Sequence, residues 1–354
     1  MTRLVLIMAG GTGGHIFPAL AVADILHSQG WRITWLGAPR SMEAELVPRY
    51  GYDMAWVRFS GVRGKSLLRK LLLPFNLLVA LWQSAAAILR HRPDVVLGMG
   101  GYITFPGGMM AAVLRRPLVI HEQNSIAGLS NKVLARFAQK VLSGFPDVLP
   151  HAIWCGNPVR ADIAALPAPE QRYAARKGRL NVLVVGGSLG AKAINETVPL
   201  ALALLSEEVR PNVIHQTGRQ HLEAVRQSYR LAGVQADIKP FIDEMAKHYG
   251  NADLVICRAG ALTIAELAAA GVASILIPFP FAVDDHQTYN ARFLSEHGAA
   301  ILLPQSEMTA EKLVQLLRDL TREKISVMAQ HARSVAKADA AQRVAQVCAE
   351  LAGQ

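Results

Sequence analysis

Apolar residues fall in short blocks along the chain, each closed by glycines or by a change to helical spacing. Arg3–Ala9 (RLVLIMA) is an apolar run that predicts a buried strand, stopped by Gly10-Gly11-Thr12-Gly13-Gly14. From Ile16 to about Gln29 the pattern turns helical, with Leu20, Ala23 and Leu26 on one face and Pro18 in the first turn. Gly30 ends that helix, and Arg32–Leu36 predicts the next strand, followed by Asp94–Leu97, Leu118–His121 and Lys140–Leu142. The pattern then restarts at Leu180–Val185 (LNVLVV), with Gly186-Gly187-Ser188-Leu189-Gly190 and a helix from about Lys192 to Leu205 behind it. Val213–His215, Leu254–Ile256 and Ser274–Ile277 continue the alternation, and the chain from about Ser326 onward is Ala-rich and helical. Strands alternating with helices imply parallel sheets covered on both faces. The expected class is α/β, with two Rossmann-like domains facing each other across a cleft. Between the halves, Asn157–Gly178 is rich in Pro, Ala and charge, which predicts a linker.

Glycine turns between strand and helix let backbone N–H groups approach an anion at a helix N-terminus, where the dipole is positive. Two such turns head the two halves, which favours phosphate binding over mere tight turning. They are not the dinucleotide fingerprint: Gly11-Thr12-Gly13 is followed by Gly14, His15 and Ile16, and Leu36–Arg40 offers no acid for a ribose. Nor is Gly186–Lys192 a P-loop, because Ala191 separates Gly190 from the lysine. Gly98–Tyr102 and Arg258–Thr263 also follow strands, at the carboxyl end where α/β sheets bind ligands. Glu266 reads equally well as a partner of the helix dipole or as an acceptor for ribose hydroxyls.

Composition narrows the picture. Over 354 residues, 51% are hydrophobic and 18% charged, enough to bury two cores of roughly 150 residues each. Cys155, Cys257 and Cys348 lie far apart, which excludes a disulfide scaffold and suits a reducing cytosol. No signal peptide is visible, and the most apolar long stretch, Leu71–Trp82, spans twelve residues and contains Pro74 and Asn76. A bilayer-spanning helix needs about 20 residues, so no membrane crossing is expected.

The formal charge of +10 favours anionic partners. Between Asp53 and Asp94 there is no acid, and seven positive charges sit there: Arg58, Arg63, Lys65, Arg69, Lys70, Arg90 and Arg92. Leu67, Leu68, Leu71, Leu72, Leu73, Pro74 and Phe75 are interleaved with them. For Val62–Phe75 this mixture favours an anionic membrane surface. Part of Leu77–Leu89 reads instead as a helix packed on the sheet with a solvated basic rim. Nucleic acid is not expected, since aromatics are only 6% and do not alternate with the charge.

Taken together, eight strings resemble the MurG family, the peptidoglycan UDP-N-acetylglucosamine transferases acting on lipid I. They are Gly10–His15 (GGTGGH), Gly100–Gly107 (GGYITFPG), His121–Asn124 (HEQN), Gly156–Arg160 (GNPVR), Gly186–Ala191 (GGSLGA), Phe241–Met245 (FIDEM), Arg258–Glu266 (RAGALTIAE) and Asp285–Ala291 (DHQTYNA). Their order follows the family's and they cover nearly the whole chain. The resemblance implies a GT-B fold, with residues 1–160 an acceptor and membrane-associated domain and 161–337 the UDP-GlcNAc domain. A final helix of about 338–354 would pack back on the first domain. The implied reaction moves N-acetylglucosamine from UDP-GlcNAc to the C4 hydroxyl of lipid I (undecaprenyl-pyrophosphoryl-MurNAc-pentapeptide), inverting the anomeric centre and giving lipid II. Such an enzyme would serve cell-wall growth peripherally, at the cytoplasmic face of the bacterial inner membrane.

By that resemblance Ser188 would bind donor phosphate, Ile242 would offer its backbone to the uracil, and Glu266 would hold the ribose. Thr12, Gly13, Gly14, Asn124, Arg160, Arg258, Ala261, Leu262, Thr263, Ile264, Ala265 and Gln287 would complete the donor site. Gly13, Gly14, Gly101 and Tyr102 would face the acceptor. His286 stands where the family pattern leads one to expect the first of two glutamines.

No Asp-x-Asp pair occurs in the chain, and adjacent Asp284-Asp285 would diverge on a helix, so metal-independent transfer without a cofactor is expected. Helix N-termini, Ser188 and Arg258 would then stabilise the departing diphosphate. His15 is the leading general base, because its ordinary pKa near 6.5 suits that role, and Glu122 is the rival. Taken alone, His15 would read as a helix cap or as a residue hydrogen-bonded to backbone. His121 is expected as a packed residue at a sheet end. Two other readings remain at this point: an NADP-dependent oxidoreductase using Arg40, and a nucleotide-regulated adaptor that transfers nothing.

Overall fold

The computed structural model describes residues 2–59, 72–187 and 190–353. They form two compact units, Met1–Arg160 with Ala338–Gln354, and Ala161–Lys337.

In the first unit β1 (Leu4–Met8), β2 (Arg32–Gly37), β3 (Asp53–Trp56), β4 (Val95–Gly98), β5 (Leu118–Glu122), β6 (Lys140–Ser143) and β7 (Ile153–Trp154) form one parallel sheet. The strand order is β3-β2-β1-β4-β5-β6-β7, so the winding reverses between β1 and β4. Alternation along β1 serves both faces. Val5 and Ile7 pack with the helix Gly13–Ser28, whereas Leu6 and Met8 pack with Ala80, Ala87 and Ile88 of the helix Leu73–His91. The last helix, Ala340–Ala352, lies along Gly13–Ser28 and buries Val344, Cys348 and Leu351, an i, i+4, i+7 stripe. Each of the two aliphatic residues contributes about 1.5–3 kcal/mol by burial.

The second unit holds β8 (Asn181–Val185), β9 (Asn212–Gln216), β10 (Asp237–Lys239), β11 (Leu254–Cys257), β12 (Ala273–Leu276) and β13 (Ala300–Leu302), all parallel. Their order, β10-β9-β8-β11-β12-β13, reverses between β8 and β11. One device recurs at the two reversals. The Leu4 N–H donates to Asp94 Oδ2 at 2.7 Å while the Asp94 N–H returns to the Leu4 carbonyl at 2.9 Å. Asn181 and Asp253 repeat the pair at 2.7 and 2.8 Å.

Several expectations are corrected. The first helix begins at Gly13 rather than Ile16, so Gly13 and Gly14 are helical and Pro18 is inside the helix, beyond its first turn. Asn157–Gly178 is not a linker. From Ala161 it belongs to the second unit, with short helices Ala161–Ala164 and Pro169–Tyr173. Arg172 fastens it by donating to the carbonyls of Tyr249, Gly250, Ala270 and Gly271, and Arg176 pairs with Asp253 at 2.8 Å.

The stretch ending at Trp82 continues as a helix of 19 residues, Leu73–His91, long and apolar enough by length and composition to cross a membrane. The apolar run ends at Trp82 because Gln83 and Ser84 follow it, but the helix continues through them, and Pro74 sits in its first turn, where proline is tolerated. This helix packs against the helix Thr104–Val113 through Ala80, Ser84, Ala87 and Ile88, so it lies along the unit. Its outer face is apolar rather than basic: Phe75, Leu78, Trp82 and Leu89 are 65%, 65%, 71% and 57% exposed. Of the patch expected to touch membrane, Leu72 and Phe75 are exposed, while Arg63, Lys65, Leu67, Leu68, Arg69 and Lys70 lie outside the described residues.

Candidate active site

At the reversal of the first sheet, three loops leave adjacent strands. The loop after β1 and the loop after β4 touch backbone to backbone, since a Cβ on Gly101 would stand 2.2 Å from the Gly10 carbonyl oxygen. Fully buried Glu43 holds them: its carboxylate accepts from the Gly11 N–H at 3.1 Å, the Ala38 N–H at 3.2 Å and the Tyr102 hydroxyl at 3.3 Å. Burial first, then the charge of Glu43, push the Tyr102 phenol up to about 12.

His15 is the third residue of its helix, yet its ring does not cap that helix. Nδ1 lies 3.0 Å from Gln123 Oε1, across 108 residues of sequence, and the half-exposed imidazole lies directly over Gly100. Gln123 Nε2 is 3.0 Å from His121 Nδ1, and His121 Nε2 is 2.9 Å from the Gly156 carbonyl oxygen. His121 is fully buried at the end of β5, and burial lowers its pKa to about 4. Next to it, the Glu122 carboxylate accepts from the Asn124 N–H at 3.0 Å, the Gly128 N–H at 3.1 Å and Asn131 Nδ2 at 2.9 Å.

At the reversal of the second sheet, β8 and β11 are parallel neighbours, so the glycine turn after β8 and the helix Ala261–Ala270 after β11 follow the same end of the sheet. Gly190 has φ +78°, and a Cβ there would stand 2.2 Å from the Thr217 carbonyl oxygen. Buried His215 braces the floor of this turn, with Nε2 3.0 Å from Asn195 Oδ1 and Nδ1 3.0 Å from the Tyr229 hydroxyl. Asn195 in turn donates to the Thr217 carbonyl at 3.0 Å. Glu266, also buried, accepts from the Tyr249 hydroxyl at 3.2 Å.

Residues 5–143 match the glycosyltransferase family 28 N-terminal domain and 181–346 its C-terminal domain. The UDP-N-acetylglucosamine--N-acetylmuramyl-(pentapeptide) pyrophosphoryl-undecaprenol N-acetylglucosamine transferase of Azoarcus sp. strain BH72 is 63% identical over 99% of this chain and 98% of its own. The enzyme of the same name from Dechloromonas aromatica strain RCB is 59% identical over 99% of this chain and 100% of its own. The crystal structure of Acinetobacter baumannii MurG superposes with a TM-score of 0.86 at 43% identity, covering 98% of this chain and 99% of that one. The chain belongs to the MurG family. It is a glycosyltransferase of peptidoglycan synthesis with the GT-B fold, which sets aside the oxidoreductase and adaptor readings.

Of the residues the family pattern singles out, the structure gathers Thr12, Gly13, Gly14, His15, Gly101, Tyr102, Glu122 and Asn124 at the β1, β4 and β5 ends of the first unit. Arg160 closes that unit's main segment. In the second unit Ala261, Leu262, Thr263, Ile264, Ala265 and Glu266 share one helix, and Ile242 is buried beyond β10. Glu266 lies past the first turn, so the dipole-partner reading falls. Ser188 lies outside the described residues.

Arg258 is placed differently from the expected diphosphate cation. Its guanidinium donates to the carbonyls of Ile277 and Pro278 at 3.2 and 3.1 Å and to Gln305 Oε1 at 2.6 Å, and burial lowers its pKa. It braces the loop after β12, which Gln287 also holds by accepting from the Phe279 N–H at 3.0 Å. Asp284 and Asp285 are not on an α-helix but in left-handed backbone, φ +51° and +52°, just before the helix His286–Ser295. His286 fastens that turn by donating from Nδ1 to the Val283 carbonyl at 2.7 Å. Sequence reasoning missed Glu43, Gln123, Asn131 and His215. Glu43 alone had a local signal, an acid in a short helix capped by Ser41 beside a glycine loop.

Proposed function

We propose that the protein transfers N-acetylglucosamine from UDP-GlcNAc to the C4 hydroxyl of the muramoyl sugar of lipid I, with inversion, giving lipid II and UDP. His15 is the general base. It takes the hydroxyl proton as the oxygen attacks the anomeric carbon from the face opposite UDP, whose bond to that carbon breaks with the electron pair. The observation that carries this role is the held but half-exposed imidazole over Gly100. Glu122 is a poorer base because three donors already occupy its buried carboxylate, and protonating it would break into that set.

The donor's ribose is assigned to Glu266 and its uracil to the backbone at Ile242. The diphosphate is assigned to Ser188, its glycine turn and the first turn of Ala261–Ala270, where backbone N–H groups and the helix dipole favour an anion. Thr12, Gly13, Gly14, Asn124, Arg160 and Gln287 contribute to the sugar and phosphate, and Gly101 and Tyr102 to the acceptor. With no Asp-x-Asp pair in the sequence, charge on the leaving UDP is met by these dipoles rather than by a carboxylate-bound cation. The membrane that carries lipid I is met peripherally, on its cytoplasmic side, by the basic Val62–Phe75 window together with the apolar outer face of Leu73–His91.

Labelled UDP-GlcNAc with a lipid I analogue tests the reading directly. Turnover should persist in EDTA. His15→Ala should lower kcat by about 10²–10⁴, the range for a lost general base, and leave UDP-GlcNAc affinity within about threefold. Near-wild-type turnover in that variant removes the assignment.

A further inference from the structure

The chain of contacts His15–Gln123–His121–Gly156 has only one consistent arrangement of protons. The Gly156 carbonyl oxygen can only accept, so His121 Nε2, 2.9 Å away, carries a hydrogen. A neutral His121 then presents a bare lone pair at Nδ1, which needs a donor. Gln123 supplies it from its amide NH₂ at 3.0 Å. The same NH₂ lies 3.2 Å from the His121 carbonyl oxygen, so exchanging the amide's oxygen and nitrogen would set two acceptors against each other. With the amide fixed, Gln123 Oε1 faces His15 Nδ1 at 3.0 Å and can only accept from it. The Gln123 backbone is itself tied down, since Asn157 Nδ2 donates to its carbonyl at 2.9 Å.

We infer that Gln123 and His121 are positioning residues that hold His15 in the tautomer with its proton on Nδ1, leaving the Nε2 lone pair for the acceptor hydroxyl. The inference rests on the reading of His15 as base and supplies what that reading lacks, namely which nitrogen does the work and what selects it. Free histidine in water favours the opposite tautomer, so the selection has to come from the protein. Burial supports it by keeping His121 neutral, with a pKa lowered to about 4, so that it accepts the amide hydrogen at the pH of the cell. When the hydroxyl proton arrives at Nε2, the imidazolium keeps its Nδ1 proton on Gln123 Oε1. An amide nitrogen is not basic, so no proton passes on to His121, and His15 holds the proton until it is lost to solvent.

Nitrogen-15 spectra of the imidazoles in the full-length protein, recorded at alkaline pH, read this tautomer without reference to turnover. The His15 signal is assigned by its loss in His15→Gln. Wild-type protein should show a protonated Nδ1 and an unprotonated Nε2 at His15. In Gln123→Met the ring should revert to the Nε2-protonated form, and kcat should fall at least tenfold while KM for UDP-GlcNAc stays within threefold. Gln123→Glu, which keeps an acceptor facing His15, should retain the Nδ1 proton. A wild-type His15 protonated on Nε2 overturns the inference even if Gln123→Met does not fold, as does a Gln123→Met protein that keeps the wild-type tautomer. Full turnover by His15→Ala, alongside the expected spectrum, instead removes the base reading and with it the catalytic meaning of the tautomer.

Discussion

Gly100 shows how one missing side chain can decide the chemistry around it. Its backbone is left-handed, φ +91°, and a Cβ there would stand 2.5 Å from His15 Nδ1 and 2.8 Å from Gln123 Oε1. Gly100→Ala therefore combines backbone strain of about 1–2 kcal/mol with displacement of the imidazole from its amide partner. The expected result is a lower Tm together with a loss of kcat of at least tenfold, larger than the change in UDP-GlcNAc KM. Paired thermal melts and steady-state kinetics check this, and an alanine variant with unchanged kcat would show that His15 does not depend on Gly100. Glycine at this position could be read from the sequence, but the reason for it could not. The partners that impose it come from residues 15 and 123, and a polar side chain whose meaning lies in a contact 108 residues away carries no local signal. His215 and Asn131 likewise take their meaning from partners elsewhere in the chain, and the local signal at Glu43 did not disclose its partners Gly11 and Tyr102, 32 and 59 residues away.

Among the secondary-structure elements, legibility follows position in the sheet. The central strands β1, β4, β5, β8, β11 and β12 are largely buried on both faces, so they read as apolar runs interrupted only by Asn181 at the start of β8, Ser274 in β12 and His121 and Glu122 at the end of β5. The four strands that the apolar pattern did not reveal, β3, β7, β10 and β13, are the four sheet edges. They run for two to four residues and expose some of their side chains, which leaves little for periodicity to show. The Leu73–His91 helix was misjudged in the other direction, since its apolar face points outward and pattern alone cannot say which side is covered. That exposed stripe makes its own prediction. Leu78→Glu with Trp82→Glu removes two large apolar anchors at sites where surface substitution changes stability by about 0.5 kcal/mol or less. Co-sedimentation with anionic vesicles should drop several-fold, while transfer to a water-soluble acceptor analogue stays at the wild-type rate. Equal vesicle binding by the double variant would assign docking to the basic window alone.

Across the whole molecule the same construction is used twice, and each copy buries a neutral histidine in the polar framework behind its glycine loops. His121 in the first unit and His215 in the second have pKa values lowered by burial to about 4 and about 3. Neither sits near the ordinary 6.5 that each regains on unfolding. As pH falls below about 6.5 the unfolded chain binds these protons first, so the stability that neutral burial provides is complete above that value. Below it, each unit loses about 1.4 kcal/mol per pH unit until the folded pKa is reached. At pH 5.0 this amounts to about 2 kcal/mol per unit, before most carboxylates have begun to titrate. His215→Gln removes the term from the second unit only. It costs stability at neutral pH, because the Tyr229 hydroxyl and Asn195 lose a partner. Urea unfolding at pH 7.5 and 5.0 should therefore show a steep acid loss in the wild type. The variant should be weaker at pH 7.5 but should lose about 2 kcal/mol less on acidification. An identical acid loss in both proteins would mean that His215 is already protonated in the folded state, and that its contacts with Asn195 and Tyr229 are not those of a neutral ring.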